Sequence, residues 1–214
     1  MNETEVKGQL FIFSGPSGSG KDTLLLEFFK IRPDVKLSIS SITRKMRVGE
    51  VQGEKYNFIE RETFMSGIEN EEFLEYNEYL GNLYGTPKAP VDKCIKNGTD
   101  MIVEVDVNGA MKVMKLMPSA ISVFIMPPSF EELCRRLRGR GTESPKVVRG
   151  RLNEAVNEIS KADEYDYIIV NNDVKTAAQD LDAIIRSEKL RRENKKYLID
   201  EVLCDVKSGN WGID

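Results

Sequence analysis

The sequence predicts an α/β fold in which a parallel sheet is flanked by helices. Four short apolar runs, at 10–13, 101–105, 121–125 and 167–170, are typical of parallel strands buried on both faces. Segments with helical periodicity separate most of these runs, as expected for an open α/β sheet. A chain of 214 residues is long enough for one such domain with a sizeable core, or for two small domains.

A glycine-rich turn follows the first predicted strand and precedes a helical segment. In GPSGSGKDT, residues 15–23, Gly15, Gly20 and Lys21 fit the phosphate-binding P-loop pattern G-x-x-x-x-G-K-[ST]. Backbone N–H groups at the start of such a helix point at phosphates, and the lysine adds a charge on the β and γ oxygens. A dinucleotide fingerprint is excluded because its third glycine position holds Thr23. The predicted ATP-binding residues of this loop are Gly15, Pro16, Ser17, Gly18, Ser19, Gly20, Lys21, Asp22 and Thr23.

Asp22 departs from the P-loop pattern, in which a Ser or Thr hydroxyl at this position holds magnesium. A carboxylate also binds Mg²⁺, directly or through water, and the metal would then lie between the carboxylate and the phosphates. The positive end of the helix favours a carboxylate as well, by about 0.3–1 kcal/mol, so a purely structural helix cap is the alternative. We expect Asp22 to bind magnesium, directly or through water. A structural helix cap remains the alternative role for this residue.

The sequence contains no histidine, which excludes the Ser-His triad and histidine metal sites. Phosphoryl transfer onto an existing phosphate fits this composition, because the acceptor is already largely ionised near neutral pH. A net charge of −4 provides no basic field for nucleic acid or membrane, and no apolar run approaches the ~20 residues of a membrane span. The three scattered cysteines form no C-x-x-C pair, which suits free thiols in a reducing compartment. We therefore expect a cytoplasmic protein that binds neither nucleic acid nor membrane.

Residues 38–88 follow a different pattern from the rest of the chain. Alternating segments such as YNFI and FLEYNEYL, separated by glycines, predict a small antiparallel or mixed β insert. Within it, Arg44 and Arg47 could clamp one phosphate together with Ser40 and Tyr56, since guanidinium groups bind phosphate through two parallel hydrogen bonds. Two arginines in a glycine-rich segment also suit a solvated surface, and the pattern alone leaves both interpretations open.

Two helices are predicted after the third apolar run. Ser129 and Glu132 form a capping box at the start of the first helix, and Pro145 suits the first turn of the second. One face of the first helix carries Phe130, Leu133 and Leu137, and the second helix carries Val148, Leu152, Ala155, Val156 and Ile159 at helical spacing. The segment 138–142 between the helices could be the hinge of a mobile lid. A final helix is predicted around 177–185.

Six stretches of the sequence occur in the order seen in guanylate kinases: GPSGSGK, SSITRKMRVGEVQGEKYNF, FLEYNEYLGNLYGTP, VEVDVNGA, RRLRGRGTES and IIVNND. The chain therefore resembles the guanylate kinase family of P-loop nucleoside monophosphate kinases. The resemblance implies one domain with a P-loop kinase core, an inserted mixed-β GMP-binding subdomain and a helical lid. The implied boundaries are 1–37, 89–134 and 156–214 for the core, 38–88 for the insert, and about 135–155 for the lid.

The resemblance also implies roles for individual residues. It assigns the GMP phosphate to Arg44, Arg47, Tyr56 and Tyr84, and guanine to Ser40, Glu75, Thr86 and Asp106. It assigns ATP contacts to Arg136 and Asn171 beside the P-loop, and the catalytic charges to Lys21, Arg47, Arg140 and Arg151. The chemistry of Glu75 agrees, because a carboxylate accepts hydrogen bonds from guanine N1–H and the 2-amino group, a pair that adenine lacks. Thr86 could donate to the 6-oxo group.

Glu104 and Asp106 lie two residues apart on a predicted strand, so their side chains point to the same side of it. Asp106 comes near the carboxyl end of that strand, where ligands bind in open α/β sheets. It could orient magnesium-bound water as well as contact the base. Mg²⁺ is accordingly the expected metal, with Asp22 and, through water, Asp106 as its candidate ligands.

The favoured function is transfer of the γ-phosphoryl group of ATP to GMP or dGMP, giving ADP and GDP or dGDP, as in purine nucleotide recycling. Ribose 1,5-bisphosphate phosphokinase is the first alternative, because the GKD form of the P-loop also resembles those enzymes. A non-catalytic guanylate kinase-like binding module is the second. The expected partners are GMP, dGMP and ATP, and a homodimer is left open.

Overall fold

The computed structural model describes residues 7–79, 81–138 and 145–207. The described strands are β1 (Leu10–Ser14), β2 (Lys36–Leu37), β3 (Ser40–Ile42), β4 (Tyr56–Phe58), β5 (Phe73–Tyr79), β6 (Asn82–Pro87), β7 (Met101–Glu104), β8 (Ile121–Met126) and β9 (Tyr167–Val170). The α-helices are α1 (Lys21–Ile31), α2 (Arg61–Glu69), α3 (Lys88–Lys96), α4 (Val107–Leu116), α5 (Phe130–Arg138), α6 (Pro145–Ile159), α7 (Val174–Lys189) and α8 (Arg192–Lys207), with a short 3₁₀ turn at Ala162–Glu164.

The larger sheet is parallel throughout and has the strand order β2-β7-β1-β8-β9. All four strands predicted from apolar runs are present in it. Residues alternate between the two faces of β1, so Phe11 and Phe13 pack towards α1 and α7, while Ile12 packs towards α3 and α4. Both faces of the sheet are therefore covered by helices, which confirms the predicted α/β architecture.

The carboxyl edge of this sheet is where the loops of interest emerge. β1 leads into the glycine-rich turn and α1, and the neighbouring β7 leads into Asp106 and α4. In open parallel sheets, ligands bind outside the carboxyl ends of the strands. The P-loop and Asp106 therefore lie at the same edge of the sheet.

Four strands between residues 40 and 87 form a second sheet, with the order β4-β3-β6-β5. The β3–β4 pair is parallel and the other two pairs are antiparallel, so the sheet is mixed, as predicted. The helix α2 lies within this segment and was not predicted. Its buried Phe64 stacks on Phe73 of β5, with ring centroids 4.3 Å apart.

The helices α5 and α6 follow the predicted pattern in part. The backbone N–H of Glu132 donates to Ser129 Oγ at 3.1 Å, and α6 begins at Pro145, as expected. Leu133 and Leu137 are buried and Phe130 is 52% exposed, so the predicted apolar face is buried except at its first residue. The reason is that Phe130 opens the helix and lies with Val156, itself 51% exposed, along a surface groove. Residues 139–142 of the predicted hinge segment lie outside the described residues.

The C-terminal region has two helices where the sequence predicted one. The chain leaves α7 at Leu190, and α8 begins two residues later. Leu198, Ile199 and Val202 of α8 are all more than 40% exposed. In the described ranges, no helix combines the length and apolar character needed to cross a membrane.

Candidate active site

An open cavity of about 430 Å³ lies between the carboxyl edge of the parallel sheet and the mixed sheet. Its lining residues are Lys21, Asp22, Leu37, Ser38, Ser40, Lys55, Tyr56, Glu75, Asn77, Tyr79, Tyr84, Gly85, Glu104, Val105 and Asp106. Two predicted P-loop residues thus face five predicted acceptor-site residues across one space. Arg44, Arg47 and Thr86 do not line it.

The glycines of the P-loop are required by its backbone. Gly18 and Gly20 have φ values of 89° and 91°, a region that strongly favours glycine. At Gly15, φ is 150°, and an added Cβ would lie 2.3 Å from the carbonyl oxygen of Ile125. The loop therefore lies directly on β8, and a side chain at Gly15 would displace it from the sheet.

Lys21 is held against its own loop. Its Nζ donates to the carbonyl oxygens of Gly15 at 2.6 Å and Pro16 at 3.3 Å. Burial lowers the pKa of Lys21, and the nearby carboxylates, Glu104 first among them, act in the opposite direction. The ammonium group is thus positioned beside the loop by two neutral acceptors and by the field of the acidic residues.

Asp22 has a partner that neither sequence interpretation included. Its Oδ1 accepts from Lys55 Nζ at 2.8 Å, and the two side chains are 61% and 59% exposed. The N-cap of α1 is Gly20, and no side chain makes a capping hydrogen bond there. The helix-cap interpretation therefore remains only as a favourable negative charge in the first turn.

Glu75 and Thr86 form a buried pair on adjacent strands. They face each other in the β5–β6 register, and Thr86 Oγ1 donates to Glu75 Oε1 at 2.8 Å. Burial raises the pKa of Glu75, and the hydrogen bond from Thr86 partly opposes that shift. Because the single hydroxyl hydrogen of Thr86 goes to Glu75, the geometry makes Thr86 an anchor for the carboxylate rather than an open donor.

Asp106 is the N-cap of α4, a structural role that was not predicted. Its Oδ1 accepts from the backbone N–H of Gly109 at 2.7 Å, and its Oδ2 accepts from Asn77 Nδ2 at 3.1 Å. Asn77 was not predicted, although it lines the cavity from β5. Glu104 lines the same cavity, as the two-residue spacing predicted, and its pKa is raised by burial and then by Asp22.

The two predicted phosphate-clamping arginines are engaged with Glu50. Arg44 forms a two-pronged contact with that carboxylate at 2.6 and 2.5 Å, and the backbone N–H of Arg47 donates to it at 2.8 Å. These donors, Arg44 first, lower the pKa of Glu50 to about 2. The guanidinium of Arg44 also lies 5.7 Å from the centre of the Tyr56 ring. In this structure, an internal carboxylate thus occupies the Arg44 fork.

A second group of predicted residues supports the P-loop from its other side. Arg136 donates to the carbonyl oxygens of Ser19 at 3.2 Å and Asn171 at 3.0 Å, and Asn171 Nδ2 donates to Ser19 O at 2.8 Å. Arg151 of α6 donates to Ser17 Oγ. Asn171 directly after β9, Arg136 of α5 and Arg151 of α6 therefore all contact the loop. Arg140 lies outside the described residues.

Comparison with known proteins agrees with this arrangement. Residues 7–188 match the model of the guanylate kinase family. A guanylate kinase of Photorhabdus laumondii is 46% identical over 94% of this chain and 100% of its own length, and one of Clostridioides difficile is 44% identical over 91% and 95%. A crystal structure of the guanylate kinase of Anaplasma phagocytophilum superposes with a TM-score of 0.68 at 35% identity, covering 86% of this chain and 88% of the other. The chain belongs to the guanylate kinase family.

Proposed function

We propose that this protein transfers the γ-phosphoryl group of ATP to GMP and dGMP. The observation that carries the proposal is the buried Glu75–Thr86 pair, which lies in the mixed sheet opposite Lys21 of the P-loop. One wall of the cavity thus has the groups to read a guanine base, and the other has the groups to hold a triphosphate. The family match over residues 7–188 supports the same function.

Glu75 selects the base in this proposal. Its ionised carboxylate accepts from guanine N1–H and from the 2-amino group, while Thr86 keeps it oriented. Adenine has no donor pair on that edge, so the buried charge would be left without partners, which is costly. Ser40 and Asp106 lie in the same cavity and complete the base contacts.

The phosphate of GMP binds to the hydroxyls of Tyr56 and Tyr84, which line the cavity, and to Arg44 and Arg47 beside it. For Arg44 to reach the phosphate, it must exchange Glu50 for the incoming anion, a replacement of one bidentate partner by another. Arg44 and Arg47 are therefore proposed to bind the GMP phosphate. Glu50 holds the Arg44 guanidinium in place until GMP binds.

ATP occupies the P-loop in this account, with Arg136 and Asn171 at its nucleoside side and Arg140 and Arg151 over its phosphates. Lys21 exchanges the two loop carbonyls for β and γ oxygens. Transfer between two phosphates needs positive charge and alignment rather than a base, since charge accumulates on the transferring group. The absence of histidine from the sequence is compatible with that requirement.

Magnesium suits the oxygen donors at this edge of the sheet. Asp22 presents a carboxylate to the cavity, and Asp106 is near enough to the same space to act through water. Within the described ranges, no three acidic or thiol side chains gather closely enough to hold a metal by themselves. This fits Mg²⁺, which usually combines one or two carboxylates with substrate phosphates and water. The ion would neutralise charge between the phosphates.

The Asp22 assignment predicts a change in magnesium dependence. Asp22→Ser should retain activity and bind metal-free ADP more tightly than the wild type, because it removes a negative charge beside the phosphates. Asp22→Ala should need more magnesium for its half-maximal rate, because it also removes an oxygen ligand. Magnesium titrations of initial rates on the three proteins measure this. Superimposable curves would leave Asp22 as a charge in the helix first turn.

We propose a cytoplasmic location for the enzyme, with nucleotides as its ligands. The three cysteines support a reducing compartment, because Cys94, Cys134 and Cys204 are all free thiols in this structure.

The first experiment measures which nucleotide accepts the phosphoryl group. ADP release from ATP is measured with GMP, dGMP, AMP and UMP in turn at equal concentrations. We expect GMP and dGMP to support release, and AMP and UMP to support little. Preference for AMP would refute the role of Glu75, and no release with any of the four acceptors would leave the ribose 1,5-bisphosphate phosphokinase and the non-catalytic binding module as the alternatives.

A further inference from the structure

The ion pair between Asp22 and Lys55 joins the P-loop helix to the mixed sheet. Asp22 lies in the first turn of α1, and Lys55 directly precedes β4, 33 positions along the chain. Both residues line the central cavity. The contact therefore spans the gap between the proposed donor and acceptor phosphates, at the position where a P-loop ordinarily has a hydroxyl.

Lys55 is surrounded by groups of both half-sites. Its pKa is raised by the hydrogen bond to Asp22, and Glu104 acts on it in the same direction. Its Nζ also lies 6.0 Å from the ring centroid of Tyr56, a proposed acceptor-phosphate residue. Without Lys55, the four carboxylates that line the cavity would be opposed by Lys21 alone among its described lining residues; they are Asp22, Glu75, Glu104 and Asp106.

The stability of the fold does not account for this ion pair. Each side chain is about 60% exposed, and ion pairs at that exposure contribute little to stability. A carboxylate beside a triphosphate, in contrast, repels it strongly unless a cation lies close by. Lys55 lies where it can supply that cation, because its Nζ is 2.8 Å from the Asp22 carboxylate.

We propose that Asp22 and Lys55 act as one unit, in which Lys55 is a positioning residue that supplies the positive charge a carboxylate at position 22 requires beside the donor phosphates. Asp22 in turn holds the flexible lysine in the cavity instead of in solvent. When magnesium accompanies the nucleotide, the metal provides part of the same charge, so Lys55 matters most for metal-free nucleotide. The inference rests on the proposed binding of ATP and ADP to the P-loop.

The test is a double-mutant cycle read out by calorimetric ADP binding, with EDTA and with saturating Mg²⁺. The proteins are the wild type, Lys55→Gln, Asp22→Ser and the double variant. We expect Lys55→Gln to weaken metal-free ADP binding about tenfold when Asp22 is present, and at most about twofold in the Asp22→Ser background. With magnesium, its effect should fall below about threefold.

Lys30→Gln is the matched control, because Lys30 forms an exposed ion pair with Glu27 at 2.6 Å on the same helix. It should leave both affinities unchanged, and thermal denaturation should show all variants folded. An equal effect of Lys55→Gln on metal-free ADP binding in both backgrounds, including no effect in either, would overturn the inference. Failure of the wild type to bind ADP even with magnesium would instead refute the proposed function, and the inference with it.

Discussion

Replacement of Arg151 by alanine should lower turnover on the order of a hundredfold or more while changing ATP binding much less. Arg151 extends from α6 to the P-loop, where it contacts Ser17 Oγ. In the proposed mechanism its planar guanidinium stabilises charge that is larger on the transferring phosphoryl group than on ground-state ATP. Initial rates at saturating GMP and ATP, combined with equilibrium ATP binding, separate the two effects. Arg151→Lys should rescue activity only in part, since a point charge does not replace the fork.

Arg149→Ala is the control for Arg151. It removes the same group from the same helix two residues away, where the side chain is exposed. Its turnover should match that of the wild type. Equal losses in the two variants would assign the effect to α6 as a whole, and unaltered turnover of Arg151→Ala would remove Arg151 from the catalytic set.

Glu75→Gln should raise the Michaelis constant for GMP about ten- to hundredfold and narrow the ratio of GMP to AMP activity. The glutamine amide keeps an oxygen for the Thr86 hydroxyl but replaces one acceptor with a donor, which faces the donors of guanine. Kinetics with both acceptors measure the change. Glu78→Gln on the exposed part of β5 is the matched control. An unchanged ratio in Glu75→Gln would refute base recognition by Glu75.

The raised pKa of Glu75 also predicts that GMP affinity and stability depend on pH differently in the wild type and in Glu75→Gln. Burial favours the protonated carboxyl, so the wild type should lose GMP affinity on acidification at a pH above the ordinary value of 4.5. For stability the sign is the reverse: the folded state holds this proton more tightly, so ionisation of Glu75 destabilises the fold as pH rises through its folded pKa. Glu75→Gln should therefore not show this loss of GMP affinity on acidification. At neutral pH it should melt at a higher temperature than the wild type.

The core elements were predictable because each has a local cause. β1, β7, β8 and β9 have helices on both sides of their sheet, so they read as apolar runs, and Gly15, Gly18 and Gly20 mark the turn that only glycine accommodates. In contrast, β2 has two residues and lies at the edge of the sheet beside β7, which leaves no pattern to detect. The helix α2 was hidden for another reason, since it lies in a segment read as alternating strands.

The partners of the site residues were harder to predict than the residues themselves. Glu75 was identified through a resemblance, but its contact with Thr86 depends on the β5–β6 register, which turn geometry and packing determine. Glu50 lies three residues after Arg47, and that spacing was a usable signal for an internal carboxylate partner. No local signal marked Lys55, because its contact with Asp22 joins the segment before β4 to the first turn of α1, 33 positions away along the chain.

The central claim is that GMP, rather than a phosphorylated sugar, receives the phosphoryl group. The most direct measurement is ³¹P NMR of one reaction that contains ATP with Mg²⁺, GMP and ribose 1,5-bisphosphate at equal concentrations. We predict that GDP and ADP appear in equal amounts while ribose 1,5-bisphosphate persists. Formation of a pyrophosphorylated ribose with GMP unconsumed would contradict the account.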